Sequence, residues 1–189
     1  VAGDELVEQM TVSALTKMKD RPIEESKKKD IAEAIAVAAI KFTILKQNFR
    51  KDIIFDKEKA LALEGDSGPY IQYAVVRIYS LLRKVKTETN KKEIEEKLTG
   101  ESLTLQRTLA RFELVCFQAI DEMAPQHIAQ YLIDVSAKFN TFYAHTKILN
   151  QGEDGIFVIN KNIVALCEST KDILEKGLYM LGIRTVTEM

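Results

Sequence analysis

The sequence predicts an all-α fold, a helical bundle with one minor extended segment near residues 52–56. Three observations predict it. Glycine and proline are scarce, at 8 and 3 of 189 residues, which leaves few turn formers for an all-β chain. Apolar residues recur at spacings of three and four over long windows, the period of a helix. Alanines crowd one of those windows (Ala32, Ala34, Ala36, Ala38, Ala39), raising helix propensity and permitting close packing. A composition of 46% hydrophobic and 29% charged residues is that of a folded chain with a real core.

The elements follow in order. Residues from about 4 to 19 form a first helix, with Leu6, Met10, Ala14 and Met18 near helical spacing. DRPIEESKKKD is a charged connection into a second helix, whose stripe runs Ile31, Ile35, Ala38, Phe42, Leu45. DIIFD, at 52–56, places a β-branched pair and Phe55 between aspartates, the pattern of a short strand. KEKALAL is a helical turn and EGDSGP breaks the chain. The next helix spans about 70–86. KTETNKKEIEEKLTGES, at 86–102, is so charged that it reads as a solvated loop and frayed helix. One helix then covers about 103–121, with Leu105, Leu109, Phe112, Val115/Cys116 and Ala119 on one face. Pro125 fits the first turn of another, about 126–142. QGEDG is a turn-rich loop. A last helix runs from about 160 to 177 or 180, burying Ile163, Leu166, Ile173 and Leu174; Gly182 ends it, and IRTVTEM is the tail. No internal repeat is present.

Several functions are disfavoured. No apolar run reaches the roughly 18 residues of a membrane-spanning helix, so no membrane partner is expected. The net charge is -1, with no global field to gather DNA or any other polyanion. Residues 1–100 carry 19 Lys+Arg against 17 Asp+Glu, and the remainder 8 against 11, so polyanion binding has to come from a local patch. Cys116 and Cys167 sit in apolar helical contexts and read as buried, reduced thiols. Two histidines, His127 and His145, lack the companions of a zinc site. There is no phosphate-binding Gly-rich loop, no Gly-x-Ser-x-Gly and no Cys-x-x-Cys. Neither a catalytic constellation, a metal site nor a cofactor site is expected.

The stretch EGDSGPYIQYAVVRIYSLLRK holds the strongest functional signal. At about 100° per residue, Ile71, Val75, Ile78 and Leu82 gather on one side as core. Tyr70, Tyr73, Arg77 and Lys84 gather within about 60° on another. Two amphipathic rings and two cations on one line suit base stacking beside phosphate. The alternative is that the tyrosines pack at a domain seam with their hydroxyls satisfied there.

The wording of that stretch closely resembles the EGDTGPYLQYAHAR-type segment of arginyl-tRNA synthetases, class I aminoacyl-tRNA ligases. KFTILKQNFRKDIIFDKEKALALEG before it, APQHIAQYLIDVSAKFNTFY after it and ALCESTKDILEKGLYMLGIRTVTEM at the end resemble further family segments in the same order. The charged segment 86–100 resembles the family least. The resemblance implies a fold and a division of labour. The chain looks like the C-terminal part of the synthetase, with 1–64 trailing an adenylate-forming domain and 65–189 forming the anticodon-binding bundle called DALR. The HIGH-like and KMSK-like motifs, absent here, precede this region in the family. The whole enzyme would join arginine to its tRNA using ATP and magnesium in the cytoplasm. This part would hold the anticodon arm of an arginine tRNA beside the N-terminal catalytic domain and would not itself catalyse.

The same resemblance implies the site residues Tyr70, Tyr73, Tyr143 and the terminal Met189, to which the helical wheel adds Arg77 and Lys84. The sequence departs from the family pattern at Phe49, Lys57, Val75 and Ile163. A helical protein-interaction domain and the anticodon bundle of another class I synthetase are the alternatives.

Overall fold

The computed structural model describes residues 3–48, 52–152 and 155–189. Phe49, and with it the turn centre of QGEDG at 153–154, lies outside them. Among the described residues the elements are α1 (Gly3–Lys17), α2 (Glu25–Leu45), α3 (Lys57–Ala60), α4 (Gly68–Thr87), β1 (Lys91–Ile94), α5 (Gly100–Leu109), α6 (Phe112–Asp121), α7 (Gln126–His145), β2 (Asn150–Gln151), β3 (Phe157–Asn160) and α8 (Lys161–Met180). The all-α expectation holds, with a small sheet at one edge.

The start of α4 shows how local chemistry places a helix. Ser67 is the N-cap: its Oγ accepts from the backbone N–H of Tyr70 at 3.0 Å and donates to the carbonyl of Ala62. Pro69 follows in the first turn, where a missing N–H costs nothing. Gly68 lets the two helices touch. A Cβ there would lie 2.5 Å from the carbonyl oxygen of Ala38 and 2.9 Å from the Phe42 Cβ. The helix then lays Ile71, Val75, Ile78 and Leu82 into the interior, as the wheel predicts.

Two groups of buried side chains form the core. The larger joins α4 to α8 and takes Ala38 and Phe42 from α2; Phe42, Leu105, Leu132, Phe139, Phe142, Leu174 and Leu178 are fully buried within it. The smaller joins α1, α2 and Ala60–Leu61 to Val76 of α4 and Val186 of the tail. The second helix therefore belongs to both groups, and side chains on either side of residue 64 share each interior.

The tail is tied down. Gly182, at φ +65°, turns the chain off α8, and the N–H of Ile183 donates to Leu178 at 2.9 Å. Ile183 and Val186 are buried. The fully buried Gln72 donates from Nε2 to the carbonyl of Arg184 at 2.7 Å. Arg184 in turn bonds the carbonyl of Asp30 at 2.8 Å and its carboxylate at 3.0 Å.

Three local expectations are corrected. Residues 52–56 carry no strand. With no ladder partner beside it, the segment ends as a helix cap, Asp56 Oδ1 accepting from the N–H groups of Glu58 and Lys59 at 3.1 Å. The charged stretch 86–102 is not all loop. Its Lys91–Ile94 pairs in parallel with β3, Lys91 opposite Phe157 and Ile94 opposite Asn160, while β2 pairs β3 antiparallel. Both middle side chains of β1 are exposed, so no apolar alternation marked it.

The helix expected at 103–121 is two, α5 and α6, parted at Ala110–Arg111. The carbonyls of Thr108 and Leu109, at the end of α5, share the proton of the buried Tyr131 hydroxyl at 3.1 and 3.2 Å, and that of Thr108 also accepts from the N–H of Arg111 at 3.1 Å. The Phe112 ring stacks on the same tyrosine with centroids 5.8 Å apart. Burial pushes the Tyr131 hydroxyl well above its ordinary pKa. After the break, α6 leaves Leu114, Phe117 and Ile120 exposed.

Both cysteines are free thiols. Cys167 is fully buried, and burial pushes its pKa up to about 12. Cys116, expected to be buried, is only half-buried because α6 lies at the surface.

Two expected outcomes follow from this packing. Gly68→Ala should lower unfolding stability by about 1–3 kcal/mol, because the backbone at Ala38 cannot yield as a side chain would; urea denaturation measures it. In native buffer at pH 8, iodoacetamide should label Cys116 well before Cys167, whose thiolate is scarce and covered; peptide mass spectrometry on a time course reads this.

Candidate nucleic-acid interface

Helices α4 and α7 meet with their polar flanks side by side. On α7, Phe139 and Phe142 point inward and are fully buried. Asn140 and Tyr143, one helical turn apart, therefore fall together on the flank. On α4, Ile71, Val75 and Ile78 take the inward side, which leaves Tyr70, Tyr73 and Arg77 on the flank facing α7.

One side chain that sequence reasoning missed joins these groups. Asn140 donates from Nδ2 to the Tyr70 hydroxyl oxygen at 2.9 Å, and its Oδ1 accepts from an Arg77 Nη1 donor at 2.8 Å. The Arg77 guanidinium carbon lies 4.4 Å from the Tyr143 ring centroid and 5.7 Å from that of Tyr73, both within cation–π range. Tyr143 is backed by the buried Phe139, centroid to centroid 5.8 Å. Tyr70, Tyr73, Arg77, Asn140 and Tyr143 are all half-buried, so each keeps a face toward solvent. The only sequence signal for Asn140 is its helical spacing of three from Tyr143, which says nothing of α4.

The other two expected residues sit elsewhere. Lys84 is exposed two turns further along α4, about 10 Å from Arg77 at the helical rise. Met189 is half-buried against the smaller core group and lines a recess with Lys17, Arg21 and Leu61. No contact among the described residues links either of them to the Asn140 cluster.

Of the departures from the family pattern, Val75 and Ile163 are buried core positions. Lys57 Nζ donates to Gln9 Oε1 at 2.6 Å, tying α3 to α1. Among the described residues no group of three or more His, Cys, Asp or Glu side chains is gathered closely enough to hold a metal ion. Among the described residues no helix is long and apolar enough to cross a membrane.

Fold and flank together define a class of protein: a helical bundle presenting a tyrosine and guanidinium surface along the seam of two helices. The family description "DALR anticodon binding domain" matches residues 71–189. The chain belongs to that family. It is 31% identical over 186 residues to an arginine–tRNA ligase of Clostridium botulinum, covering 98% of this chain and 32% of that protein. It is 32% identical over 176 residues to an arginine–tRNA ligase of Streptococcus uberis, covering 93% of this chain and 30% of that protein. Among solved structures, the Thermus thermophilus arginyl-tRNA synthetase superposes with a TM-score of 0.88 at 30% identity, over 100% of this chain and 32% of that one. The chain thus spans about a third of the length of the curated relatives it matches, aligned to their C-terminal part.

Proposed function

We propose that this chain holds the anticodon arm of an arginine tRNA as the C-terminal part of an arginine–tRNA ligase. The observation that carries the proposal is the Arg77 guanidinium lying within cation–π distance of both the Tyr73 and Tyr143 rings and held by a neutral amide. Aromatic faces accept splayed bases, and a cation that no carboxylate among the described residues pairs with draws the phosphates between them. Lys84, exposed along the same stripe, serves as an outer phosphate contact. Met189, with its thioether beside Lys17 and Arg21, serves as the outer apolar contact.

The parent enzyme would attach arginine using ATP and magnesium, in the cytoplasm, through a catalytic domain joined N-terminally to this part. Within the chain, residues 1–64 are assigned as the helical connection to that domain and 65–189 as the tRNA-holding bundle. The work of the bundle is positional. Binding the far end of the tRNA orients its acceptor end toward a site outside this chain, and recognition of the anticodon favours the matching tRNA before chemistry begins.

The test is a titration with an arginine anticodon stem-loop and with the same stem-loop changed at the middle base. The chain contains no Trp and six Tyr, so its intrinsic fluorescence reports on ring stacking directly. Tyr73→Ala should weaken stem-loop binding by about 1–3 kcal/mol, and the middle-base change should weaken it in the unaltered chain. Binding indifferent to the middle base would point instead to a protein-interaction domain or to another synthetase's anticodon bundle.

A further inference from the structure

We propose that Asn140 is a positioning residue that turns the Tyr70 hydroxyl proton and an unneutralised Arg77 guanidinium outward from the α4–α7 seam, and so favours acceptor atoms of the ligand. This rests on the RNA-binding reading above and goes beyond it by assigning how the surface chooses atoms.

The inference follows from counting protons. Arginine has donors and no acceptor, so the Asn140 oxygen must face Arg77 and the amide NH2 must face Tyr70, as the distances of 2.8 and 2.9 Å show. A flipped amide would set N–H against N–H. Because the Tyr70 oxygen receives the Asn140 proton, its own proton points elsewhere, and among the described residues no acceptor takes it. Arg77 spends one of its five N–H groups on Asn140 and keeps four. The amide is neutral, so the guanidinium charge stays uncancelled while its plane rests over Tyr143. The surface that emerges offers an outward phenol proton, several guanidinium protons and two ring faces. It fits phosphate oxygens, base carbonyl oxygens and unprotonated ring nitrogens. It disfavours a base edge that itself brings a proton to the same place, because two donors would then meet unpaired.

Asn140→Asp tests this with almost no change of shape. The carboxylate accepts from Arg77 but has no proton for Tyr70, so the phenol turns inward to donate and loses its outward proton, while the new negative charge offsets that of the guanidinium. The 189-residue chain and its variants are titrated with the arginine anticodon stem-loop, with urea midpoints checking the fold. Ring-13C tyrosine NMR follows the Tyr70 Cζ resonance. Asn140→Asp should keep its urea midpoint and lose about tenfold or more in affinity. Most of that loss should vanish when Arg77 is already Ala, since the two act as one unit. The Tyr70 Cζ resonance should shift in Asn140→Asp, because the hydroxyl then donates to the carboxylate instead of accepting from the amide. Tyr70→Phe, which keeps the ring and removes the proton, should also weaken binding.

Wild-type affinity in Asn140→Asp or in Tyr70→Phe would overturn the proposal. So would a loss that persists in full on the Arg77→Ala background, or an unmoved Tyr70 Cζ resonance. Failure of the unaltered chain to bind the stem-loop would overturn the RNA reading instead, and the Tyr70 resonance would still decide the positioning.

Discussion

Gly68 sets the distance between α2 and α4, and most of the molecule is built on that distance. The hydrogen at its α-carbon is all that separates the start of α4 from the Ala38 carbonyl. With the helices in contact there, Phe42 enters the larger core and the alanines of α2 meet α1 on the other side. The capping chemistry of Ser67 and Pro69 then fixes the rotation of α4 about its axis. Rotation decides which residues are core and which are surface, so the same contact that closes the interior also aims Tyr70, Tyr73 and Arg77 at α7.

The tail extends this dependence. Gln72, one turn beyond Gly68, is fully buried and donates to the carbonyl of Arg184, while Val186 and Met189 rest on the core group that α1 and α2 supply. A buried amide without such a partner would be costly. The end of the chain is therefore structural as well as terminal: it seals the groove between α2 and α4. A side chain of α4 thus links the beginning, middle and end of the sequence.

The interface combines rigidity with exposure. Its polar groups stand on two long helices whose opposite sides are packed in the core, so they do not depend on a mobile loop for their placement. Each is half-buried, shielded enough for the cation–π and amide contacts to hold and open enough for a ligand to reach the rings. The buried Phe139 behind Tyr143 gives that ring a fixed seat. Lys84 lies beyond this framework, exposed along the α4 stripe, and Met189 rests half-buried on the smaller core group.

Much of this was legible in the sequence. Long apolar periodicity carried α1, α2, α4, α7 and α8, because a helix records its buried face every three to four residues. The wheel of α4 picked out the buried face correctly at each of Ile71, Val75 and Ile78. What the sequence by itself determined was the set of helices and the residue types offered on each face. Tertiary structure alone decided the rest. A strand as charged as Lys91–Ile94 exists only because β3 supplies its hydrogen bonds, and DIIFD is no strand because no strand among the described residues pairs with it. The break at Ala110 is stabilised by the hydroxyl of Tyr131, more than twenty residues away. Asn140 became part of the site only when α7 came to rest against α4, since periodicity describes one element at a time and contacts between elements leave no local trace in either.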